Sequence, residues 1–136
     1  MPAAIGAGGD TKDSTMPNAS FVILYVNSPE HSTAFYRDLL AREPIESSAT
    51  FAMFALREGM MLGLWSRHTV RPAPASMPGA TEVAFTVDGP TEVDRTHAAW
   101  QGRGLAIVQP PEDLDFGRTF VALDPDGHRL RVLAPA

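Results

Sequence analysis

The feature that most constrains the fold is a pattern that occurs twice along the chain. Shifted by 61 positions, Val22, Leu24, Val26 and Pro29 coincide with Val83, Phe85, Val87 and Pro90. A later shift of 68 to 69 positions sets Phe51 on Phe120, Gly59 on Gly127, Leu62 on Leu130 and Leu64 on Val132. Internal repetition of this kind indicates two copies of one supersecondary unit. We therefore predict two similar halves, each a strand, a helix and three further strands.

The first half shows the local signals most clearly. The β-branched and aromatic run Phe21–Val26 is typical of a strand. Ser28 is a favoured N-cap and Pro29 suits the first helical position, so a helix of about three turns is predicted to end before Pro44. Its Phe35 and Tyr36 are predicted to pack on the sheet. Two further strands, 50–56 and 60–66, flank the turn at residues 57–59 as a hairpin.

The second half repeats these signals. A helix is predicted over residues 91–102, and Trp100 on this helix is expected to pack against the sheet. Residues 124–127 read Asp-Pro-Asp-Gly, a sequence suited to a tight turn. This segment lacks the repeated carboxylates and the closing glutamate of a calcium loop. The proline-rich segment 67–79 is predicted to link the halves.

Composition excludes several classes of protein. The chain has 136 residues and no cysteine, which excludes disulfides, thiolate metal sites and a cysteine nucleophile. A net charge of −5 disfavours nucleic acid as a partner, and no apolar run is long enough for a membrane helix. We predict a cytoplasmic protein with a disordered tail at residues 1–18 and a single domain at 19–136, with modules at about 20–66 and 80–134.

Four short motifs carry a resemblance to a known family. They are Tyr25–Ser28, Ser32–Arg37, Phe116–Phe120 and Asp124–His128. Together with the repeat, they resemble the glyoxalase/bleomycin-resistance/extradiol-dioxygenase superfamily, also called vicinal oxygen chelate proteins. The resemblance covers about residues 20–134, and within the superfamily it is strongest to phenazine-antibiotic resistance proteins, which are metal-free binders.

The resemblance implies an α+β fold of two βαβββ modules that form a cup-shaped mixed sheet with the helices outside. Strand alternation then assigns side chains to the two faces. The residues expected to face the cup are Phe21, Ile23, Tyr25, Met61, Gly63 and Trp65 in the first half, and Glu82, Ala84, Thr86, Arg129, Arg131 and Leu133 in the second.

A mostly apolar, aromatic cup suits a planar organic molecule. We predict Trp65 as the stacking platform, Ser66 or Thr86 as orienting groups, and Gly63 as a gap that leaves room for a ring. Glu82 and Arg131 either pair with each other or meet a ligand carboxylate or amine. The candidate ligand-binding residues are Phe21, Tyr25, Met61, Gly63, Trp65, Ser66, Glu82, Thr86 and Arg131.

The metal-using members of the family place four ligands in the cup. Carried over by motif, these positions are Phe21, Gly63, Glu82 and Arg131, of which only Glu82 is able to bind a divalent ion. We therefore expect no metal and no cofactor. The histidines show no metal-binding spacing.

Three functions remain open. The favoured one is a metal-free protein that sequesters a planar aromatic antibiotic of phenazine type. The alternatives are a metal-dependent lyase or dioxygenase with an atypical ligand set, and a metal-free enzyme in which Glu82 is the general base. The resemblance also implies a homodimer.

Overall fold

The computed structural model describes residues 19–136, and the predicted disordered tail lies outside the described residues. The described chain divides into two compact units, residues 19–77 and 78–136. Each unit contains one helix and one four-stranded mixed sheet. The predicted α+β class, with two βαβββ modules, is confirmed.

The first module has a parallel pair at one edge of its sheet. Strands β1 and β4 run parallel, whereas β4–β3 and β3–β2 are antiparallel, in the order β1-β4-β3-β2. The elements are β1 (Phe21–Val26), α1 (Pro29–Leu40), β2 (Glu46–Ser47), β3 (Phe51–Arg57) and β4 (Met60–Ser66).

Helix α1 begins and ends as its sequence predicts. The Ser28 hydroxyl accepts a hydrogen bond from the backbone N–H of His31 at 3.1 Å, and Pro29 opens the helix. Ala41 closes it in the left-handed region at φ 54°. Tyr36 is fully buried, so its predicted packing role is confirmed, and the half-buried Phe35 meets its ring edge-on.

The second module repeats this topology. Its sheet has the order β5-β8-β7-β6, again with a parallel pair, β5–β8, at one edge. The elements are β5 (Glu82–Thr86), α2 (Pro90–Gly102), β6 (Ile107–Leu114), β7 (Gly117–Leu123) and β8 (Arg129–Pro135).

Trp100 anchors helix α2 to its sheet. Its indole meets Phe85 at 5.8 Å and Phe120 at 5.4 Å between ring centroids, both edge-on. Only 8% of Trp100 is exposed, so most of its apolar surface is removed from water. The packing role predicted for this residue is confirmed.

Strand pairing confirms the repeat and corrects one correspondence. Met61 pairs with Phe21 as Arg129 pairs with Glu82, so β4 maps onto β8 with a shift of 68. The turn glycines match this shift, with φ +79° at Gly59 and +87° at Gly127. The same shift sets Phe51 on Thr119, so its predicted match to Phe120 is wrong by one residue. One residue of slip exchanges the two faces of a strand, and Phe51 does lie on the face opposite to that of Phe120.

Residues 67–79 contain no helix or strand, as predicted for this segment. The segment from Asp124 to His128 forms a turn in which the Asp124 carboxylate accepts from the backbone N–H of Asp126 and of His128. Across residues 19–136, neither helix has the length and apolar character needed to span a membrane.

Candidate functional site

In the first module, one face of the sheet packs on α1 and the other presents most of the predicted site. Leu24, Val26, Leu62 and Leu64 are buried on the helical side, at 0–1% exposure. The opposite face is called here the aromatic face. It consists of Phe21, Ile23, Tyr25, Phe51, Met53, Ala55, Met61, Gly63 and Trp65, which the register brings together.

Trp65 is half-buried on the aromatic face and has aromatic neighbours on two sides. Tyr25 is its partner on β1, and Phe51 is its partner on β3. The Phe51 ring meets the indole edge-on, with centroids 6.2 Å apart and planes at 83°. Tyr25 is 38% exposed, so the platform has a solvent-accessible margin.

The space above Gly63 is not the gap that the sequence suggested. A Cβ at this position would lie 3.0 Å from Cζ of Phe51 and 3.3 Å from Cγ1 of Ile23. The missing side chain makes room for the protein's own Phe51 ring, which thereby reaches Trp65. A ligand ring would stack beside these groups rather than over Gly63.

Ser66 lies on the other side of β4 from Trp65. It pairs with Val26, is 5% exposed, and its hydroxyl accepts from the backbone N–H of His68 at 3.2 Å. The structure therefore brings Phe21, Tyr25, Met61, Gly63 and Trp65 together and leaves Ser66 on the helical side.

The corresponding face of the second module is polar. Arg131 donates from Nε to Glu82 Oε2 at 2.7 Å and from Nη2 to Glu82 Oε1 at 3.3 Å. Its Nη1 donates to Gln109 at 3.2 Å and to Thr119 at 3.1 Å. Of the two alternatives for Glu82 and Arg131, the structure shows the pairing with each other. Thr86 is exposed on the same face. Its register partner on β8 is Leu133, two residues after Arg131.

An aromatic ring also contacts the Arg131 guanidinium. The ring centroid of Phe116 lies 5.9 Å from the guanidinium carbon, within the range of a cation–π contact. Gln109 donates its amide to Glu112 at 3.2 Å and turns its oxygen to Arg131. These contacts form a continuous polar network across β5, β8, β7 and β6.

The four family metal positions do not carry a donor set that fits a divalent metal ion. Phe21 and Gly63 have no side-chain donor, and Arg131 is cationic. The remaining group, the Glu82 carboxylate, is engaged by Arg131. Within residues 19–136, no three His, Asp or Glu side chains are grouped as metal ligands.

The histidines of the second module lie on α2 and at the turn before β8. His97 on α2 packs on Phe120 at 5.3 Å between ring centroids, which puts it on the helical side of the sheet. His128 is 2% exposed at the Asp124 turn. In the first module, His31 and His68 are exposed outside the strands.

Sequence reasoning missed three members of the aromatic face, Phe51, Met53 and Ala55. Phe51 and Met53 are each 4% exposed and lie beside Trp65 and Gly63 in register. Counting outward from the turn at Gly59 would have set Ala52 opposite Trp65, because a β-bulge between Ala55 and Arg57 shifts the register by one residue and brings Phe51 there instead. Gln109 was also missed, since β6 contains two consecutive prolines and reads poorly as a strand.

Two consecutive βαβββ modules, with one helix on one side of each four-stranded mixed sheet, define a glyoxalase-type fold. The chain belongs to the Glyoxalase/Bleomycin resistance protein/Dioxygenase superfamily, whose family model matches residues 19–132.

Three relatives illustrate the similarity. The phenazine antibiotic resistance protein EhpR of Enterobacter agglomerans is 29% identical over 119 residues, which are 85% of this chain and 89% of that protein. The solution structure of protein ATC0852 from Agrobacterium tumefaciens is 51% identical with a TM-score of 0.82, covering 89% of this chain and 99% of that one. A glyoxalase/bleomycin resistance protein/dioxygenase from Nocardioides is 26% identical with a TM-score of 0.77, covering 88% of this chain and 84% of that one. At the level of the family, the similarity to a protein named for antibiotic resistance supports a role in resistance or ligand binding.

Proposed function

We propose that this protein binds a planar aromatic small molecule of phenazine type, without a metal ion, and so contributes to antibiotic resistance by sequestration. The observation that carries the proposal is the aromatic face of the first module. Its half-buried indole, with Tyr25 and Phe51 beside it, offers a surface on which a flat heteroaromatic ring gains stacking and apolar burial.

The side chains around Trp65 suit such a ligand in shape as well as in polarity. Met53 and Met61 belong to this face, and thioether side chains adapt to irregular aromatic outlines. Ile23 and Phe51 close the space above Gly63, so the platform is held in one arrangement before a ligand arrives. A preorganised surface of this kind spends less binding free energy on ordering side chains.

Metal independence is supported by the chemistry of Glu82. It is the one carboxylate among the four family positions, and both of its oxygens accept hydrogen bonds from Arg131. Binding a metal there would break this ion pair and set a divalent cation beside a guanidinium. The similarity to a protein named for phenazine antibiotic resistance supports the choice of ligand class.

The test is a fluorescence titration with phenazine on a Trp100→Phe background, which leaves Trp65 as the single tryptophan. We expect saturable quenching of Trp65, because a stacked heteroaromatic ring contacts the indole directly. The matched control is Trp65→Phe in the wild-type background, where Trp100 reports from the helical side of the second module. This control should show little quenching.

Calorimetry with Trp65→Ala supplies an independent readout. We expect roughly tenfold weaker binding, since removing an indole platform loses both its stacking and its apolar contact area. Absence of quenching up to the solubility limit of phenazine, or equal affinity of Trp65→Ala and wild type, would refute the proposal. Stoichiometric Fe, Ni, Mn or Zn in the purified protein would favour the lyase or dioxygenase alternative.

We also propose that the protein is a homodimer, as its family resemblance implies. The second module exposes Val108, Leu114 and Phe116, at 49%, 37% and 46%, which is compatible with a buried apolar contact between copies. Light scattering coupled to size-exclusion chromatography tests this, with a mass of about twice 14.6 kDa expected and a monomer mass contradicting it.

A further inference from the structure

The aromatic face ends in a charged side chain beyond Trp65. The parallel ladder of β1 and β4 continues for one step past the two strands, because the backbone N–H of Arg67 donates to the carbonyl of Val26 at 2.8 Å. Asn27 and Arg67 are therefore the next pair of this ladder. Since side chains alternate between the two faces of a sheet, this pair extends the row of Tyr25 and Trp65 rather than the helical side.

Two side-chain contacts hold the Arg67 guanidinium at this end of the face. Its Nη1 donates to Oδ1 of Asn27 at 3.3 Å, so the two side chains of the pair lie on one side of the sheet. Its Nη2 donates to Sδ of Met77 at 2.9 Å, which brings in the segment that follows β4. Arg67 is half-buried, whereas 66% of Met77 is exposed.

The charge of Arg67 is not balanced by a carboxylate. Among residues 19–136 it makes no ion pair with an Asp or Glu side chain, whereas four other arginines do, namely Arg37, Arg95, Arg118 and Arg131. A guanidinium has five N–H donors, and the contacts with Asn27 and Met77 use one of them each. Both acceptors are neutral, and a thioether accepts hydrogen bonds only weakly.

An anionic group on a stacked ligand would supply the missing counter-charge. Two residues along a strand span about 7 Å, so Arg67 follows Trp65 by one step along the same row. A guanidinium meets the two oxygens of a carboxylate with parallel hydrogen bonds, which are stronger than bonds to neutral acceptors. The exposed Met77 side chain is able to leave the guanidinium at little cost, because it loses only a weak hydrogen bond.

We propose that Arg67 selects ligands that carry a carboxylate at the edge of the flat aromatic ring system. The protein then binds aromatic acids in preference to their neutral analogues. This inference rests on the proposed function, because the ring is stacked at Trp65 while its carboxylate replaces Met77 at the guanidinium. The ring supplies apolar burial, and the carboxylate fixes the orientation of the ring on the face.

Calorimetric titration of phenazine, phenazine-1-carboxamide and phenazine-1-carboxylate at neutral pH tests the proposal. The carboxamide resembles the carboxylate in shape and carries no charge. We expect the carboxylate to bind roughly tenfold more tightly than the carboxamide, because its hydrogen bonds to Arg67 are charge-assisted. This preference should shrink as salt is added, since salt screens the attraction between charges.

The three compounds separate failure of this inference from failure of the proposed function. Equal affinity for the carboxylate and the carboxamide, with both binding, would overturn the role of Arg67 and leave the proposed function standing. Absence of binding by all three compounds would refute the proposed function and this inference with it.

A variant without the charge assigns the preference to Arg67. Arg67→Gln should bind the carboxylate and the carboxamide with equal affinity. The matched control is Arg57→Gln, which removes the same charge from an exposed residue at the end of β3 and should keep the full preference. A preference that survives in Arg67→Gln, or that is lost equally in Arg57→Gln, would contradict the assignment.

Met77→Leu tests whether the thioether competes with the ligand. Leucine keeps an apolar side chain of similar volume and has no atom that accepts from Arg67. The variant should bind phenazine-1-carboxylate roughly twofold more tightly than wild type, because the carboxylate no longer displaces a hydrogen bond. Equal or weaker binding would contradict the displacement of Met77.

Discussion

Replacing Gly63 with alanine tests how tightly the aromatic face is packed. The new Cβ would lie 3.0 Å from Cζ and 3.2 Å from Cε1 of Phe51, and 3.3 Å from Cγ1 of Ile23. Phe51 is 4% exposed and meets Trp65 edge-on, so its ring has to shift against packed neighbours. Adding one carbon to a packed interior of this kind lowers the free energy of unfolding by about 1–3 kcal/mol.

Urea unfolding followed by circular dichroism measures the effect. With an m value of about 1–3 kcal/mol/M, a loss of about 2 kcal/mol lowers the unfolding midpoint by roughly 0.7–2 M. The matched control is Gly102→Ala at the end of α2, where an added Cβ meets nothing within 4 Å. That change should raise stability slightly, since alanine favours helix more than glycine does. A midpoint for Gly63→Ala equal to or above that of wild type would refute the packing argument.

Three further predictions concern stability and are checked by the same unfolding experiment. Arg131→Met should cost about 2 kcal/mol because Glu82, Gln109 and Thr119 each lose a hydrogen bond, and a cost near zero would contradict the network. Ser28→Ala should cost about 1 kcal/mol through the lost N-cap, and Ser28→Gly should cost only a few tenths. Trp100→Ala should cost about 3–5 kcal/mol because a buried indole between two rings leaves a cavity.

Much of the fold was predictable because local signals and the repeat agree. Ser28 and Pro29 fix the start of α1, and Pro90 at the shifted position opens α2. Glycines at matching turns take the positive φ that few other residues adopt. The alternation of charged and apolar residues in β8 predicted that Arg131 faces away from the helix, and burial along the strand alternates in the same way.

The site was predictable only in part, for reasons of packing. The first four residues of β3, from Phe51 to Phe54, are all buried, so no alternation marks which of them face Trp65. The sequence comparison matched Phe51 with Phe120 because both are phenylalanine, whereas the strand register equates Phe51 with Thr119. That error concealed the role of Phe51, which fills the space above Gly63.

The most direct test of the central claim is calorimetric titration of phenazine into the protein before and after exhaustive dialysis against a metal chelator. We expect the same dissociation constant in both states, and one about tenfold higher for Trp65→Ala in each. Loss of phenazine binding on chelation, restored by adding back a divalent metal ion, would contradict it.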